Sequence, residues 1–263
     1  MSKEIKGGMF GNMLVEEENN DDDKKENDPQ YVNEYFEEIL ESLLIEEDYY
    51  IKKAVAKLRT DWAASDAKRD AGLTEPDFVK AIKDIRYGEH GEYNLLDVYL
   101  PAKENDEPLP VLVNIHGGGY FYGDKNLYRF YSMDMVKDGF AVVNINYRLS
   151  PDYKFPCALE DINETLCWIE QNAAEYKMDV TRVYMMGDSA GAQLVSHYAA
   201  INSNEEFASM YSFKKHNIKL KGISLACGMY DIVTQYKSIS TRGSLDAYFN
   251  KKDIKNEKKL DVL

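Results

Sequence analysis

The sequence alternates between strand-like and helix-like segments from Val111 onward, and this alternation constrains the fold more than any other feature. Short apolar runs bounded by turn residues are typical of strands that are buried on both faces. They alternate with longer segments in which apolar residues recur at helical spacing. The predicted strands lie at 111–115, 140–145, 180–186 and 220–226, and the predicted helices lie at 128–137, 158–174 and 190–201. This pattern predicts an α/β fold in which helices cover both faces of a largely parallel sheet.

The residues before this alternation divide into three segments of different composition. Residues 1–30 are rich in charged and amide side chains, which bury too little apolar surface to fold, so we expect a disordered acidic tail. Residues 31–83 show apolar residues at helical spacing, and we expect three helices, the third beginning near Pro76. This helical unit is either a packing layer or a lid. Residues 84–100 alternate in strand fashion about a turn, which predicts a β-hairpin at the start of an α/β domain spanning residues 84–263.

The composition argues against several kinds of partner. The chain has 46 acidic and 32 basic residues and a net charge of −14, and a surface this acidic repels nucleic acid and anionic membranes. The sequence has no apolar run of about 18 residues and no apolar signal-peptide core, so we expect a soluble cytoplasmic protein. Cys157, Cys167 and Cys227 lack metal-ligand spacing, so we expect reduced thiols and no metal site.

The first motif that carries chemistry is Gly187-Asp188-Ser189-Ala190-Gly191, which lies between a predicted strand and a predicted helix. In this context G-x-S-x-G is a nucleophile elbow, in which the glycines allow close backbone packing and the serine adopts a strained conformation. The hydroxyl of Ser189 then stands above the sheet at the positive end of the helix dipole. We therefore predict that Ser189 is a nucleophile and that Asp188 is structural, with its side chain pointing away from Ser189 Oγ.

A second motif, HGGGY, starts at His116, directly after a predicted strand. Three consecutive glycines weaken any regular element, so their role is expected to be in backbone geometry. The predicted oxyanion donors are the backbone N–H groups of Gly117, Gly118, Gly119 and Ala190. The alternative is that the glycines form a flexible turn. We expect His116 to organise the loop through hydrogen bonds rather than to act as the general base.

Together with a third motif, these two resemble those of a known family. HGGGY, YRLSP at 147–151 and GDSAG, in this order within residues 84–231, resemble the hormone-sensitive-lipase-like group of α/β-hydrolase esterases. The resemblance implies the α/β-hydrolase fold, a three-layer sandwich, with an N-terminal helical cap formed by residues 31–83. It also implies hydrolysis of small carboxylic esters, with short-chain or acetyl groups, through an acyl-enzyme on Ser189 and without a cofactor.

The end of the sequence departs from the family pattern. The resemblance implies an acid after a seventh strand and a histidine after an eighth. Only 32 residues follow Asp231, and they contain neither a strand-length apolar run nor a histidine. We therefore expect that the last two strand–helix units are missing, that the chain is truncated and that hydrolysis is impaired. The alternative is a non-catalytic binding or interaction module on the same fold.

None of the other histidines is expected to replace the missing one. His197 lies eight residues beyond Ser189, about 12 Å along the predicted helix at roughly 1.5 Å per residue. His216 precedes the last predicted strand and therefore lies at the wrong end of a parallel sheet, and His90 lies in the hairpin turn. Asp231 is expected near the carboxyl ends of the strands, but it has no histidine to orient.

A sheet that ends at its sixth strand exposes an edge. Unpaired N–H and C=O groups on an edge strand pair readily with another chain. We therefore expect the isolated chain to self-associate through that edge, to aggregate or to need a chaperone.

Overall fold

The structure, a computed structural model, describes residues 29–103 and 106–260. It divides into two compact units, Met1–Tyr50 and Ile51–Leu263. The described residues of the first unit belong to the beginning of helix α1, Pro29–Arg69, and the remainder of α1 belongs to the second unit. Most of the predicted acidic tail lies outside the described residues.

A six-stranded sheet organises the second unit. Its strands are β1 Val79–Arg86, β2 Leu95–Pro101, β3 Leu109–Ile115, β4 Ala141–Ile145, β5 Met178–Asp188 and β6 Leu220–Ala226. They lie in the order β1-β2-β4-β3-β5-β6. The β1–β2 and β2–β4 pairs are antiparallel, whereas the β4–β3, β3–β5 and β5–β6 pairs are parallel. The predicted α/β fold with a mostly parallel sheet is therefore confirmed.

Helices pack on both faces of the sheet. After α1 they are α2 Arg129–Asp134, α3 Cys157–Asn172, α4 Ala190–Ser203, α5 Glu205–Ala208, α6 Ile232–Tyr236, α7 Ile239–Tyr248, α8 Lys251–Lys255 and α9 Glu257–Leu260. Val111 and Val113 of β3 pack in the cluster that holds Leu159 of α3. Leu112, between them, packs with Met133 of α2 on the other face. The sheet thus separates two apolar layers, which is the three-layer α/β-hydrolase arrangement.

The region between α1 and β2 differs from the sequence prediction. The third helix expected near Pro76 is wrong, because Val79–Arg86 is strand β1, and the two preceding predicted helices are the single helix α1. Ile82 of β1 pairs with Val98 in an antiparallel ladder. Apolar spacing over so short a segment supports a helix only weakly, since helix nucleation is costly, and the ladder outweighs it. The predicted β-hairpin is confirmed, with a longer first strand.

The residues after β6 form helices that the sequence analysis did not predict. Helices α6 to α9 follow Asp231, and Leu245, Tyr248 and Phe249 are buried. Each of these helices has ten residues or fewer, so packing rather than intrinsic helix propensity stabilises them. Among the described residues the sheet ends at β6, in agreement with the prediction.

Across the two described ranges, no helix is both long enough and apolar enough to cross a bilayer. Helix α1, with 41 residues, has the length, but charged side chains such as Lys57, Arg59 and Asp61 recur along it.

Candidate active site

Ser189 lies at the junction of β5 and α4. Its backbone has φ 49° and ψ −118°, a strained conformation for a residue with a side chain. Its N–H donates to Ala226 O of β6 at 2.7 Å, and its carbonyl accepts a hydrogen bond from Gln193 N–H at 3.2 Å. The residue is exposed. The predicted elbow geometry is therefore present: a sharp turn from strand to helix with the serine at its apex.

The two glycines of the elbow allow backbone segments to touch. A Cβ at Gly191 would overlap Ile115 O and would lie 2.6 Å from His116 O. A Cβ at Gly187 would lie 2.5 Å from the carbonyl carbon of Gly191. Because the end of β3 packs directly on the start of α4, the GDSAG and HGGGY motifs are neighbours in space.

Asp188 contacts the glycine loop. Its Oδ1 would lie 2.7 Å from a Cβ at Gly117, and this oxygen is buried without a hydrogen-bond partner among the described residues. Burial, and after it a hydrogen bond to Asp188, raises the pKa of the Tyr128 hydroxyl. The carboxylate thus lies near the loop and near Tyr128, which precedes α2, and its structural role stays a prediction.

The glycine loop has an unusual backbone. Gly118, Gly119 and Tyr120 have φ values of 108°, 61° and 69°, three successive residues in the left-handed region. The carbonyl of Gly118 accepts hydrogen bonds from Phe121 N–H at 3.1 Å and Tyr122 N–H at 2.9 Å, which closes a tight turn. This turn accounts for the run of glycines.

The four predicted oxyanion donors have free backbone N–H groups. None of these groups donates to another described residue. The donors are Gly117, Gly118, Gly119 and Ala190. A donor to an oxyanion needs such an unused N–H group, and the role of these four residues stays a prediction.

His116 is held inside the loop. It is 1% exposed, its Nδ1 lies 2.7 Å from Gly117 O, and its ring stacks on Tyr147 with 4.3 Å between centroids. The hydroxyl of Tyr147 donates to His116 O at 2.9 Å. Burial lowers the pKa of His116 to about 4, so the ring is neutral near pH 7. These contacts agree with the expectation that His116 organises the loop.

The other three histidines have different neighbours. His197 Nε2 lies 2.7 Å from Tyr211 OH, and burial lowers the pKa of His197 to about 4. His216 Nε2 lies 2.9 Å from Tyr198 OH. The ring of His90 lies edge-on to Tyr153, 5.9 Å away between centroids.

Ser189 Oγ makes no hydrogen bond with any described residue, histidines included. The structure therefore brings together the nucleophile and the glycine loop, but it brings no histidine to the serine.

Asp231 has a structural contact. Its Oδ1 accepts a hydrogen bond from Thr234 N–H at 2.9 Å and so caps the first turn of α6. This hydrogen bond lowers the pKa of Asp231. The sequence placed Asp231 near the site as an acid, but the capping role was not predicted, because α6 itself was not predicted.

Helix α1 supplies a contact that sequence reasoning missed. Arg59 Nε donates to Phe121 O at 2.7 Å, and its Nη2 donates to Ser150 O at 2.9 Å. Phe121 directly follows HGGGY in the sequence. The only available signal was an arginine at helical spacing, which is equally typical of a solvated helix face.

The chain is similar to a protein family and to several esterases. Residues 96–262 match the BD-FAE family model. Esterase LipQ of Mycobacterium tuberculosis is 31% identical over 157 residues, which cover 59% of this chain and 37% of that protein. The probable carboxylic ester hydrolase LipM of the same organism is 31% identical over 150 residues, which cover 56% of this chain and 34% of that protein. The chain thus spans about a third of the length of these curated relatives.

A solved structure shows the same architecture. The structure is that of esterase B from Lactobacillus rhamnosis inhibited by a C4-C4 tributyrin phosphonate. It superposes with a TM-score of 0.72 at 29% sequence identity, covering 80% of this chain and 69% of that chain. The fold is therefore shared over 80% of this chain.

Proposed function

We propose a function from one premise: the chain belongs to the BD-FAE family, among the α/β-hydrolase esterases of the hormone-sensitive-lipase-like group. The proposed reaction is hydrolysis of a carboxylic ester, with Ser189 as the nucleophile. The observation that carries it is the exposed Ser189 at φ 49°, at the apex of a strand–turn–helix junction beside a glycine loop with free N–H groups.

The proposed mechanism uses atoms of both motifs. As Ser189 Oγ bonds to the ester carbonyl carbon, water or hydroxide takes the serine proton, and the carbonyl oxygen takes the electron pair of its double bond. The N–H groups of Gly118, Gly119 and Ala190, with that of Gly117 beside them, stabilise the resulting oxyanion. The intermediate then expels the alcohol, which takes up a proton, and leaves an acyl-enzyme. Water then bonds to the acyl carbon, the bond from that carbon to Ser189 Oγ breaks, the acid leaves, and Oγ regains a proton from solvent.

Short-chain and acetyl esters are the proposed substrate class. The support comes from esterase B, for which a C4-C4 tributyrin phosphonate is an inhibitor.

We further propose that the 263-residue chain, taken by itself, is a slow catalyst. All four histidines have ring contacts away from Ser189 Oγ, so water or hydroxide takes the serine proton. General-base assistance is worth about 10²- to 10⁴-fold in rate, and its loss leaves the oxyanion donors as the main source of catalysis. The unpartnered Ser189 Oγ also favours the second candidate function, a non-catalytic binding module on the same fold.

A phosphonate probe tests the nucleophile and its base together. We expect a fluorophosphonate to label Ser189 slowly, because an unassisted hydroxyl is a poor nucleophile at neutral pH. We expect the rate to rise about tenfold per pH unit between about pH 7 and about pH 9, because hydroxide acts as the base; a histidine base would instead give a plateau. Mass spectrometry of the labelled peptide identifies the residue, and Ser224→Ala, which removes an exposed serine of β6, is the matched control.

Two outcomes would contradict parts of this proposal. Rapid labelling with a pH plateau, or a drop of about a hundredfold or more in ester hydrolysis on Ser189→Ala, would mean that a base acts on the serine and that the chain is not impaired. A folded protein whose Ser189 is never labelled would contradict the nucleophile itself and favour the binding module.

A further inference from the structure

One face of α1 contacts the segment that follows the glycine loop. We call it the clamp face and define it by Arg59, Trp62, Asp66 and Arg69, which are three or four positions apart and therefore share one side of the helix. All four residues contact segment 121–127.

The first two residues of the clamp face fix the start of that segment. Arg59 Nε donates to Phe121 O at 2.7 Å. Trp62 stacks on the Phe121 ring with 5.3 Å between centroids, and it meets the Tyr122 ring edge-on at 5.4 Å. Phe121 is 3% exposed, so both its carbonyl and its ring are held from the α1 side.

The other two residues of the clamp face extend the contact along the segment. The Tyr122 hydroxyl donates to the Asp66 carboxylate. Arg69 Nη2 donates to Leu127 O at 2.9 Å, and its guanidinium also pairs with Asp66 at 2.9 Å. Two backbone carbonyls of the segment, those of Phe121 and Leu127, accept hydrogen bonds from the clamp face, so these contacts constrain the path of the main chain.

Arg59 links the two stretches of chain that border the glycine loop. Its Nη2 donates to Ser150 O at 2.9 Å, while Ser150 N–H and hydroxyl donate to Tyr120 O at 2.9 and 3.2 Å. On the other side, the Phe121 ring would lie 2.8 Å from a Cβ at Gly119. One guanidinium therefore supports Tyr120 and Gly119 from both directions.

We propose that Arg59 is a positioning residue for the oxyanion hole. Through its contacts with Phe121 and Ser150 it keeps the N–H groups of Gly118 and Gly119 directed toward the reacting carbonyl at Ser189. This proposal rests on the proposed function. Gly118, Gly119 and Tyr120 all have positive φ, and for Tyr120 that conformation is intrinsically unfavourable, so contacts outside the loop must hold it. The clamp face is the part of α1 that supplies such contacts.

The geometry of arginine matters for this role. Two different nitrogens of one rigid, planar group reach Phe121 O and Ser150 O. A lysine carries the same charge on a single nitrogen at the end of a flexible stem. We therefore expect the labelling rate of Ser189 in Arg59→Lys to lie between the rate of the wild type and that of Arg59→Met.

Labelling of Ser189 with a p-nitrophenyl phosphonate tests the proposal. Ser189 Oγ bonds to phosphorus, p-nitrophenolate leaves and is measured by absorbance, and the serine proton passes to solvent. The phosphoryl oxygen then occupies the place of an oxyanion. We expect Arg59→Met to lower the maximal labelling rate about tenfold, with little change in the probe concentration for half-maximal rate, because the donors rather than probe binding are displaced.

The matched control is Arg182→Met. The guanidinium of Arg182 also contacts a carboxylate and a carbonyl, Asp179 and Pro108 O, but it lies near the start of β5. Its replacement is expected to leave the labelling rate unchanged. An unchanged maximal rate in folded Arg59→Met, or an equal loss in Arg182→Met, would overturn the proposal.

Hydrogen exchange gives a readout that does not depend on reactivity. We expect Arg59→Met to speed amide exchange of Phe121 and Tyr122, whose N–H groups donate to Gly118 O, and not in β3 or β5. Unchanged exchange there contradicts the positioning role, whereas an unlabelled wild type contradicts the proposed function instead. If Arg59→Met does not fold, Arg59→Lys is measured in its place. In Arg59→Lys, faster exchange together with slower labelling supports the proposal, because one ammonium nitrogen cannot reach Phe121 O and Ser150 O as the two arginine nitrogens do. Any other result overturns the proposal.

Discussion

At the scale of single residues, the elbow requires glycine at two positions, 187 and 191, because neither has room for a Cβ. A Cβ at Gly191 would overlap Ile115 O, and a Cβ at Gly187 would meet the backbone of Gly191. Backbone atoms cannot move aside as the end of a flexible side chain can, so β3 and α4 would have to separate. Ser189 lies between the two glycines, at the junction of β5 and α4, and packing around both glycines holds the serine at its positive φ.

We expect Gly191→Ala to lower the free energy of unfolding by about 1–3 kcal/mol, because the added methyl group overpacks the junction. Labelling of Ser189 should slow as well, since the elbow shifts. Gly243→Ala is the control: its Cβ would meet nothing within 4 Å in α7, and alanine favours a helix over glycine by up to about 1 kcal/mol. Urea unfolding measures both variants, and equal free energies would contradict the steric account.

At the scale of elements, the parallel core could be predicted better than the elements around it. Strands β3 to β6 lie within a few residues of their predicted positions. Each has a short apolar run bounded by turn residues, and in β3 and β4 that run is buried on both faces. The structure of β1 and of α6 to α9 depends on partners far away in the sequence. Ile82 becomes part of a strand by pairing with Val98, and Leu245 becomes helical as it packs into the core.

The candidate site divides in the same way. The GDSAG and HGGGY motifs both follow parallel strands, so their meeting at one edge of the sheet could be predicted. The contacts of Arg59 could not be predicted, because the position of an arginine in a helical pattern does not indicate which loop packs on that helix. The capping role of Asp231 could not be predicted either, because a cap is recognisable only once its helix, here α6, is known.

Strand β6 is the element from which we expect self-association. It is the outer strand of the described sheet, and Ile223 and Leu225 on it are 42% and 36% exposed. Exposed edge strands with apolar side chains pair readily with another chain, and lysine opposes such pairing. The double variant Ile223→Lys with Leu225→Lys should therefore shift the protein toward monomer in sedimentation velocity.

The control for this prediction lies at the other side of the sheet. Phe78, 38% exposed, directly precedes β1, the opposite outer strand. Phe78→Lys adds a charge of the same kind and should leave the sedimentation profile unchanged. A wild-type chain that remains monomeric as its concentration rises would show that the β6 edge is not an interface.

At the scale of the whole molecule, the second unit buries two histidines in their neutral form. Burial lowers the pKa of His116 and of His197 to about 4, below the usual value of about 6.5. Between these values the unfolded chain binds more protons than the folded chain. The free energy of unfolding therefore falls as the pH falls through this window, and the full loss is reached below the folded pKa.

We expect each buried histidine to remove about 2 kcal/mol from the free energy of unfolding between about pH 7 and about pH 5. His197→Gln should reduce the pH dependence by about that amount, and His90→Gln, which replaces an exposed ring, should leave it unchanged. Urea unfolding at the two pH values measures the difference. The same pH dependence in His197→Gln and in the wild type would contradict the buried neutral state.

The hydrogen bond from Ser189 N–H to Ala226 O ties the apex of the elbow to the outermost strand. An outer strand opens more easily than a central one, because only one neighbour holds it. Each opening of β6 breaks the hydrogen bond that anchors the Ser189 main chain. The conformation of the elbow therefore depends on the local stability of β6. The hydrogen-exchange rate of the Ser189 amide therefore reports how often β6 opens. A molecule that binds along the β6 edge would slow this exchange without contacting the serine.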